Sequence, residues 1–299
     1  VATQLHIEPS STDPGTEVFS VSGARNDIRL VADYLEGPSS STPDDFVRLP
    51  GSVYYSAEIE FDQSRGLFRY DTATGAITRE TYSGPSLSRE FRALARTATT
   101  LFYLGGDAKN ELHTNNTGKL MDYVVTDAGA APAGSRLVFA RQDFSGSGVE
   151  PWVSDGTSTG TVRLLDIVPG AGSSNPRGFV ALGSNVYFLA TSAQGEELWV
   201  TDGTPTGTRQ VADIAAGAAS SNIGPLQVFG SALFFRADDG ISGEELWRAT
   251  ATGAARVADV ETGAGSSSPD ELTVYGGRVY FAATQGGDLT NGLRVTVGR

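Results

Sequence analysis

The chain has 299 residues, with 37 Gly, 13 Pro, no Cys, and 22 basic against 35 acidic side chains for a net charge of -13. Zero Cys excludes disulfides, thiolate metal sites and cysteine nucleophiles, and the acidic balance argues against nucleic acid, whose phosphates need cations. No apolar run reaches the roughly 18 to 20 residues of a membrane helix, so membrane insertion is not expected, and the Val start reads as a processed or excised segment of a longer polypeptide.

Helical apolar stripes are lacking, and Gly, Ser, Thr, Asn, Asp and Pro punctuate short strand-like runs, the signature of an all-β chain. Taken in order, residues 1–34 predict three strands, near His6, Phe19 and Val31. Further strand pairs are predicted near Tyr54 and Phe68, Phe102 and His113, Val138 and Trp152, Tyr187 and Trp199, Phe234 and Trp247, and Tyr280 and Arg294. The last three complete stretches, starting at Glu150, Glu197 and Glu245, are one unit copied, with Trp152, Trp199 and Trp247 spaced 47 and 48 residues apart. The pairs Asp33 to Tyr54, Asp166 to Tyr187, Asp213 to Phe234 and Asp259 to Tyr280 are each 21 apart.

Each unit holds four strands, here a (FVALG), b (SNVYFLA), c (ELWVTD) and d (TRQVADI), and four strands in about 40 to 50 residues is the pattern of a β-propeller blade. One sheet cannot bury both faces alone, so blades stack, which explains the nearly continuous apolar b strands. The prediction is a single β-propeller domain over residues 1–299. Seven blades are favoured, with b, c and d at the start and a, b and c at the end; six result if the two incomplete ends merge. The degenerate region 107–143 is short for a full unit and predicts a blade that lacks a strand.

The strings EPWVSDGTSTGT and ELWVTDGTPTGT, with the downstream Asp of LLDI or VADI, resemble the tandem ELWxxDGT repeat of bacterial secreted and surface proteins. The resemblance implies a propeller-like array in an extracellular or cell-surface setting and supplies no catalytic residues. The DGT element is lost after Trp247, Phe68 and His113.

Strand alternation puts the b-to-c and d-to-a loops at one end of the sheets and the c-to-d turns at the other. Asp155 and Asp202 of the DGT turns read as Asx-turn acceptors, and the repeated Trp as core between blades. The b-to-c loops are acidic and rich in Gly and Ser. Asp13 and Glu17, Asp143 and Glu150, and Asp238, Asp239 and Glu244 read either as solvated carboxylates or as oxygen ligands for Ca²⁺, the candidate cofactor. The d-to-a loops carry Asp33, Asp166, Asp213 and Asp259 and, near the last three, Ser174, Ser221 and Ser267. These either fix the loop by local hydrogen bonds, the reading local chemistry favours, or bind a glycan.

Only His6 and His113 are present, so a His-rich metal centre and a repeated general base are excluded. The expected function is a non-catalytic binding or adhesion module, secreted or surface-attached and bacterial, that recognises a glycan or surface protein through loops on one face. The rivals are a polysaccharide hydrolase or lyase using carboxylates on that face, and a structural spacer or protein-docking scaffold.

Overall fold

The computed structural model describes residues 4–6, 18–22, 27–32, 42–58, 65–80, 92–105, 110–285 and 288–296. The chain is all-β and of the β-propeller class: seven successive antiparallel sheets, each a meander in which neighbouring strands follow one another in sequence. Sheet 1 has b, c and d strands at Gln4–His6, Val18–Ser22 and Asp27–Ala32, and sheet 7 has a, b and c strands at Asp270–Tyr275, Arg278–Gln285 and Asp288–Thr296. The incomplete ends thus form two separate three-stranded sheets, as the seven-blade reading requires.

The five sheets between them have four strands each: sheet 2 pairs Asp44–Leu49, Ser52–Glu58, Arg65–Asp71 and Ile77–Arg79, sheet 5 pairs Arg177–Leu182, Asn185–Ser192, Gly195–Thr201 and Arg209–Gln210, and sheet 6 pairs Gln227–Phe229, Ala232–Asp238, Glu244–Thr250 and Gly253–Ala258. This corrects the expectation of a missing strand in the degenerate region. Sheet 3 pairs Arg92–Arg96, Leu101–Gly105, Glu111–Thr114 and Gly118–Met121, and sheet 4 pairs Ala130–Ala133, Arg136–Asp143, Gly148–Ser154 and Val162–Arg163. The missing length comes from connections: the c and d strands of sheet 3 are joined by Asn115–Thr117, and a single 3-10 turn, Thr126–Ala128, leads into sheet 4.

The described residues fall into two compact units, Val1–Val124 with Gly156–Ser158, and Val125–Asp155 with Thr159–Arg299. In the second unit the period-two alternation of each b strand explains the packing. In sheet 5, whose b strand is Asn185–Ser192, Val186, Phe188 and Ala190 join Trp199 and pack on Val138, Ala140 and Val153 of sheet 4. Its other face, Tyr187, Leu189, Leu198 and Val200, packs on Leu233, Phe235 and Ala237 of sheet 6. Sheet 6 turns Ala232, Phe234 and Leu246 toward Val279, Phe281 and Ala283 of sheet 7. In the first unit, Leu49, Tyr54 and Leu67 of sheet 2 pack in the same way on Leu101 and Tyr103 of sheet 3.

Trp199 is core, 8% exposed and stacked near Phe188 at 6.5 Å between ring centroids, whereas Trp247 is half-buried against the sheet 5 and 6 cluster and Trp152 is half-buried with the Arg141 guanidinium 4.4 Å above its ring. The DGT turn is structural. Asp202 accepts the Thr204 backbone N–H at 2.9 Å and its hydroxyl at 2.6 Å, with the Thr204 hydroxyl the chief cause of a lowered Asp202 pKa. Beneath the turn, the Thr201 and Thr208 hydroxyls meet at 2.8 Å, and Ser154 and Thr161 repeat the contact at 2.7 Å in sheet 4.

Candidate functional site

The b-to-c turns and d-to-a loops meet at one end of sheets 4, 5 and 6, and the first residue of each ELW or EPW string holds them together. Glu150, Glu197 and Glu245 are all 0% exposed. Glu150 accepts N–H bonds from Ile167 at 3.1 Å, Val168 at 3.4 Å and Ser174 at 3.1 Å, and the Ser174 hydroxyl at 2.6 Å. Glu197 accepts the Ile214 and Ala215 N–H groups, both at 3.2 Å, and the Ser221 hydroxyl at 2.8 Å. Glu245 accepts the N–H groups of Val260 at 3.0 Å, Glu261 at 3.2 Å and Ser267 at 3.1 Å, with the Ser267 hydroxyl at 2.6 Å. A buried carboxylate persists only if donors replace its lost water, and each loop curls around its Glu to supply three or four.

The preceding serines complete the arrangement. Ser173, Ser220 and Ser266 accept the backbone N–H of Val149, Glu196 and Glu244, each at 2.9 Å. The carbonyls of Ser174, Ser221 and Ser267 then accept N–H bonds from Thr191, Asp238 and Thr284 of the following sheet at 2.8, 2.8 and 2.9 Å. Every such loop is therefore bonded to its own sheet and to the next. The approach is so close that only glycine fits two residues before each Glu. A Cβ on Gly148, Gly195 or Gly243, all at positive φ, would stand 1.9, 2.1 or 2.4 Å from the carbonyl oxygen of Gly172, Ala219 or Gly265.

Of the residues singled out from sequence, Asp13, Glu17 and Asp33 lie outside the described residues. Ser174, Ser221 and Ser267 are 0% exposed and spent on the Glu locks, so they fix the loops and offer no hydroxyl to a glycan as placed. Glu150, read as a metal ligand, is instead sealed in its lock. The repeated Asp does not bond the serines. Asp166 pairs with Arg163 at 3.4 Å and Asp259 with Arg256 at 3.5 Å, whereas Asp213 accepts the Gln194 amide at 2.8 Å and the Gly217 N–H at 3.3 Å.

The acidic b-to-c loops mostly bond themselves. Asp143 accepts the Ser145 hydroxyl and N–H at 2.7 and 2.9 Å, which hold its pKa down. Asp238 caps Gly240 at 2.8 Å, and Asp239 accepts the N–H groups of Ile241 and Ser242 at 2.9 and 2.7 Å. Burial alone would raise the Asp239 pKa, but those backbone donors prevail and lower it. Glu244 lies on the same loop, yet among the described residues no three carboxylate or His side chains converge on one point. A melt of EDTA-stripped protein in millimolar CaCl₂ against MgCl₂ tests the Ca²⁺ reading: a Ca²⁺-selective rise of a few degrees, the scale of occupancy at about 100 times Kd, supports it, and equal melting temperatures reject it.

Sheets 2 and 3 lack the lock among the described residues, and what replaces it differs. Sheet 2 has Gly66 at the Glu position, two before Phe68, which pairs across strands with Tyr55. Sheet 3 keeps Glu111, but its carboxylate meets His113 Nε2 at 3.2 Å and Lys119 Nζ, while Lys119 also holds Asp122 at 2.7 Å. His113 is 2% exposed and stacks on Tyr103 at 5.3 Å. Burial lowers its pKa against the opposing pull of Glu111.

Burial raises the pKa of Glu150 and Glu197 above the usual 4.5, and the serine and backbone donors only partly oppose it. The folded state then holds protons that the unfolded state has released. The stability these two groups contribute is full below pH 4.5 and declines as pH rises through their folded values. Relative to a Glu150→Gln/Glu197→Gln double variant, the wild type should lose part of its advantage as the pH rises above 4.5 in urea melts; a constant difference would contradict the raised pKa values.

The locks were missed from sequence because the Glu was read with the exposed loop acids. Their signal is the spacing Gly-x-Glu followed 22 or 24 residues later by the second of a serine pair.

No protein family matches the sequence, and no curated protein does. Among solved structures, the chain is similar to the β-propeller domain of the trilobed protease from Pyrococcus furiosus, at 9% identity over 99% of this chain and 92% of that one, with a TM-score of 0.43. It is also similar to oligopeptidase B from Leishmania major (11% identity, 86% of this chain, 39% of that one, TM-score 0.48) and to a TolB from Agrobacterium tumefaciens (12%, 78% and 84%, TM-score 0.37). The chain spans half the length of the prolyl endopeptidase and puromycin hydrolase structures it also matches. Below 0.5 these scores carry no argument about activity, and the fold class rests on the chain's own seven sheets.

Proposed function

We propose that this chain is a non-catalytic binding module that recognises a glycan or a surface protein through the joined b-to-c and d-to-a loops. The observation that carries the reading is the threefold Glu–Ser lock, which fixes the loops before any partner arrives and so removes the ordering cost that weakens binding by mobile loops. The same locks weigh against hydrolysis, since the buried carboxylates at this end are saturated with donors and a general acid or nucleophile must reach its substrate. An extracellular or cell-surface setting is part of the proposal and draws on the resemblance to the ELWxxDGT repeat. No helix among the described residues is long and apolar enough to cross a membrane.

The test is to apply the full chain to a glycan microarray and, in parallel, to incubate it with the polysaccharides that it retains while assaying for new reducing ends or unsaturated sugars. Selective retention without product supports a binding module. Product formation overturns it in favour of a hydrolase or lyase. Absence of retention overturns the glycan form, and pull-down of a defined surface protein with purified partners then decides for or against a protein target.

A further inference from the structure

Leu189 of sheet 5 stands opposite Leu198 in the cross-strand register, one place before Trp199, and fills the interface with sheet 6. The same register position in sheet 6, opposite Leu246, is Arg236, on the face that Ala232 and Phe234 turn toward sheet 7. The equivalent residues in sheets 4 and 7 are Ala140, opposite Pro151, and Ala282, opposite Leu293. A guanidinium has thus been placed where sheets 4, 5 and 7 carry Ala or Leu.

Its surroundings leave it short of partners. Arg236 Nε is sealed from solvent with no hydrogen-bond partner among the described residues, and no carboxylate of those residues lies within ion-pair distance of the side chain. The stem has been given room: a Cβ on Gly224 would stand 2.7 Å from Arg236 Cγ. Arg236 lines a cavity of about 210 Å³ between the first strands of sheets 6 and 7. Its other walls are Pro225, Leu226, Pro269 and Leu272, with Gln227, Asp270 and Glu271 as the polar groups. Asp270 accepts the Glu271 N–H at 2.9 Å, and both side chains are exposed. Arg236 as a whole is half-buried, and an oxyanion in the cavity would supply the acceptor that its sealed Nε lacks.

We propose that this cavity binds one sugar-acid residue, with the carboxylate of a uronate on Arg236. The inference rests on the reading of the chain as a binding module and names its ligand class. A single negative charge matches the guanidinium, whereas a phosphate dianion would be repelled by Asp270 and Glu271. Those two carboxylates and the Gln227 amide suit sugar hydroxyls, and the two prolines and two leucines suit the C–H face of a ring. The volume equals that of about seven waters, the scale of one ring and not of a chain.

The test uses the full chain and Arg236→Leu, the residue sheet 5 uses at this position. Isothermal titration and thermal shift are run with sodium D-glucuronate, sodium D-galacturonate, D-glucose, L-alanine and inorganic phosphate. The proposal expects the wild type to bind at least one uronate, glucose to bind at least tenfold more weakly, and Arg236→Leu to fold with an equal or higher melting temperature while losing uronate binding at least tenfold. Uronate binding unchanged in Arg236→Leu, or a wild type that binds neither uronate, overturns it. So does a response to L-alanine or phosphate without one to uronate. If Arg236→Leu does not fold, Arg236→Gln replaces it with the same expected loss. Glycan retention by a wild type that binds no free uronate sinks this inference alone; absence of all glycan retention sinks the glycan form of the proposed function as well.

Discussion

Glu197→Ala should destabilise the protein by about 3–5 kcal/mol in urea melts at pH 7, because it strands three buried donors at once, each costing about 1–3 kcal/mol when unpaired. Those donors are the Ile214 and Ala215 N–H groups and the Ser221 hydroxyl. Ser221→Ala removes one donor and leaves the carboxylate its two backbone bonds, so it should cost only about 1–2 kcal/mol. The Glu197→Ala/Ser221→Ala double variant should lose less than the sum, since the second change then removes a hydroxyl already stranded. Additive losses would show that the two residues do not act as a pair. An effect of Glu197→Ala under 1 kcal/mol would mean that water reaches the loop and replaces the carboxylate, and the fixed loop surface would go with it.

Gly195→Ala should cost about 3 kcal/mol or more, for two separable reasons. The backbone there has φ +77, which a side chain tolerates at a cost of about 1 kcal/mol. The added methyl would also stand 2.1 Å from the Ala219 carbonyl oxygen, and a loop bonded on both sides cannot simply move away. Gly217→Ala is the control: it has φ +91 but nothing within 4 Å of the new carbon, so only the conformational cost of about 1 kcal/mol applies. Equal losses at the two positions would show that the d-to-a loop yields and that the close approach is not a constraint.

Much of the architecture was legible because strand chemistry repeats. The 47- and 48-residue spacing of the Trp anchors gave the sheet, and the incomplete ends resolved into the three-stranded sheets that their patterns implied. The missing strand was misjudged because length was counted in residues: the short turn at Asn115–Thr117 gives up loop, and the strands of sheet 3 survive. The site was harder to read. Glu150 looks like any loop acid until the fold shows it at 0% exposure with four donors, and a buried carboxylate differs from a solvated one only in what surrounds it. The serine pair was noticed, yet it was joined to the wrong acid, since Asp166 is nearer in sequence than Glu150. Arg236 was passed over because one basic residue in an apolar strand means nothing until its register partner in the next repeat is known.

Each carboxylate lock closes within 22 to 24 residues, and the carbonyl of its serine reaches only the next sheet. Latch and catch therefore travel together in one module of DNA. Unequal crossing-over that adds or deletes a whole module rebuilds the same junction on either side, so such an array can lengthen or shorten without passing through a broken intermediate. A codon inserted between Asp213 and Ser221 enjoys no such protection, and this stretch, eight residues in all three copies, should tolerate drift in length far less than the DGT turn at the opposite end, where the third copy is already two residues shorter.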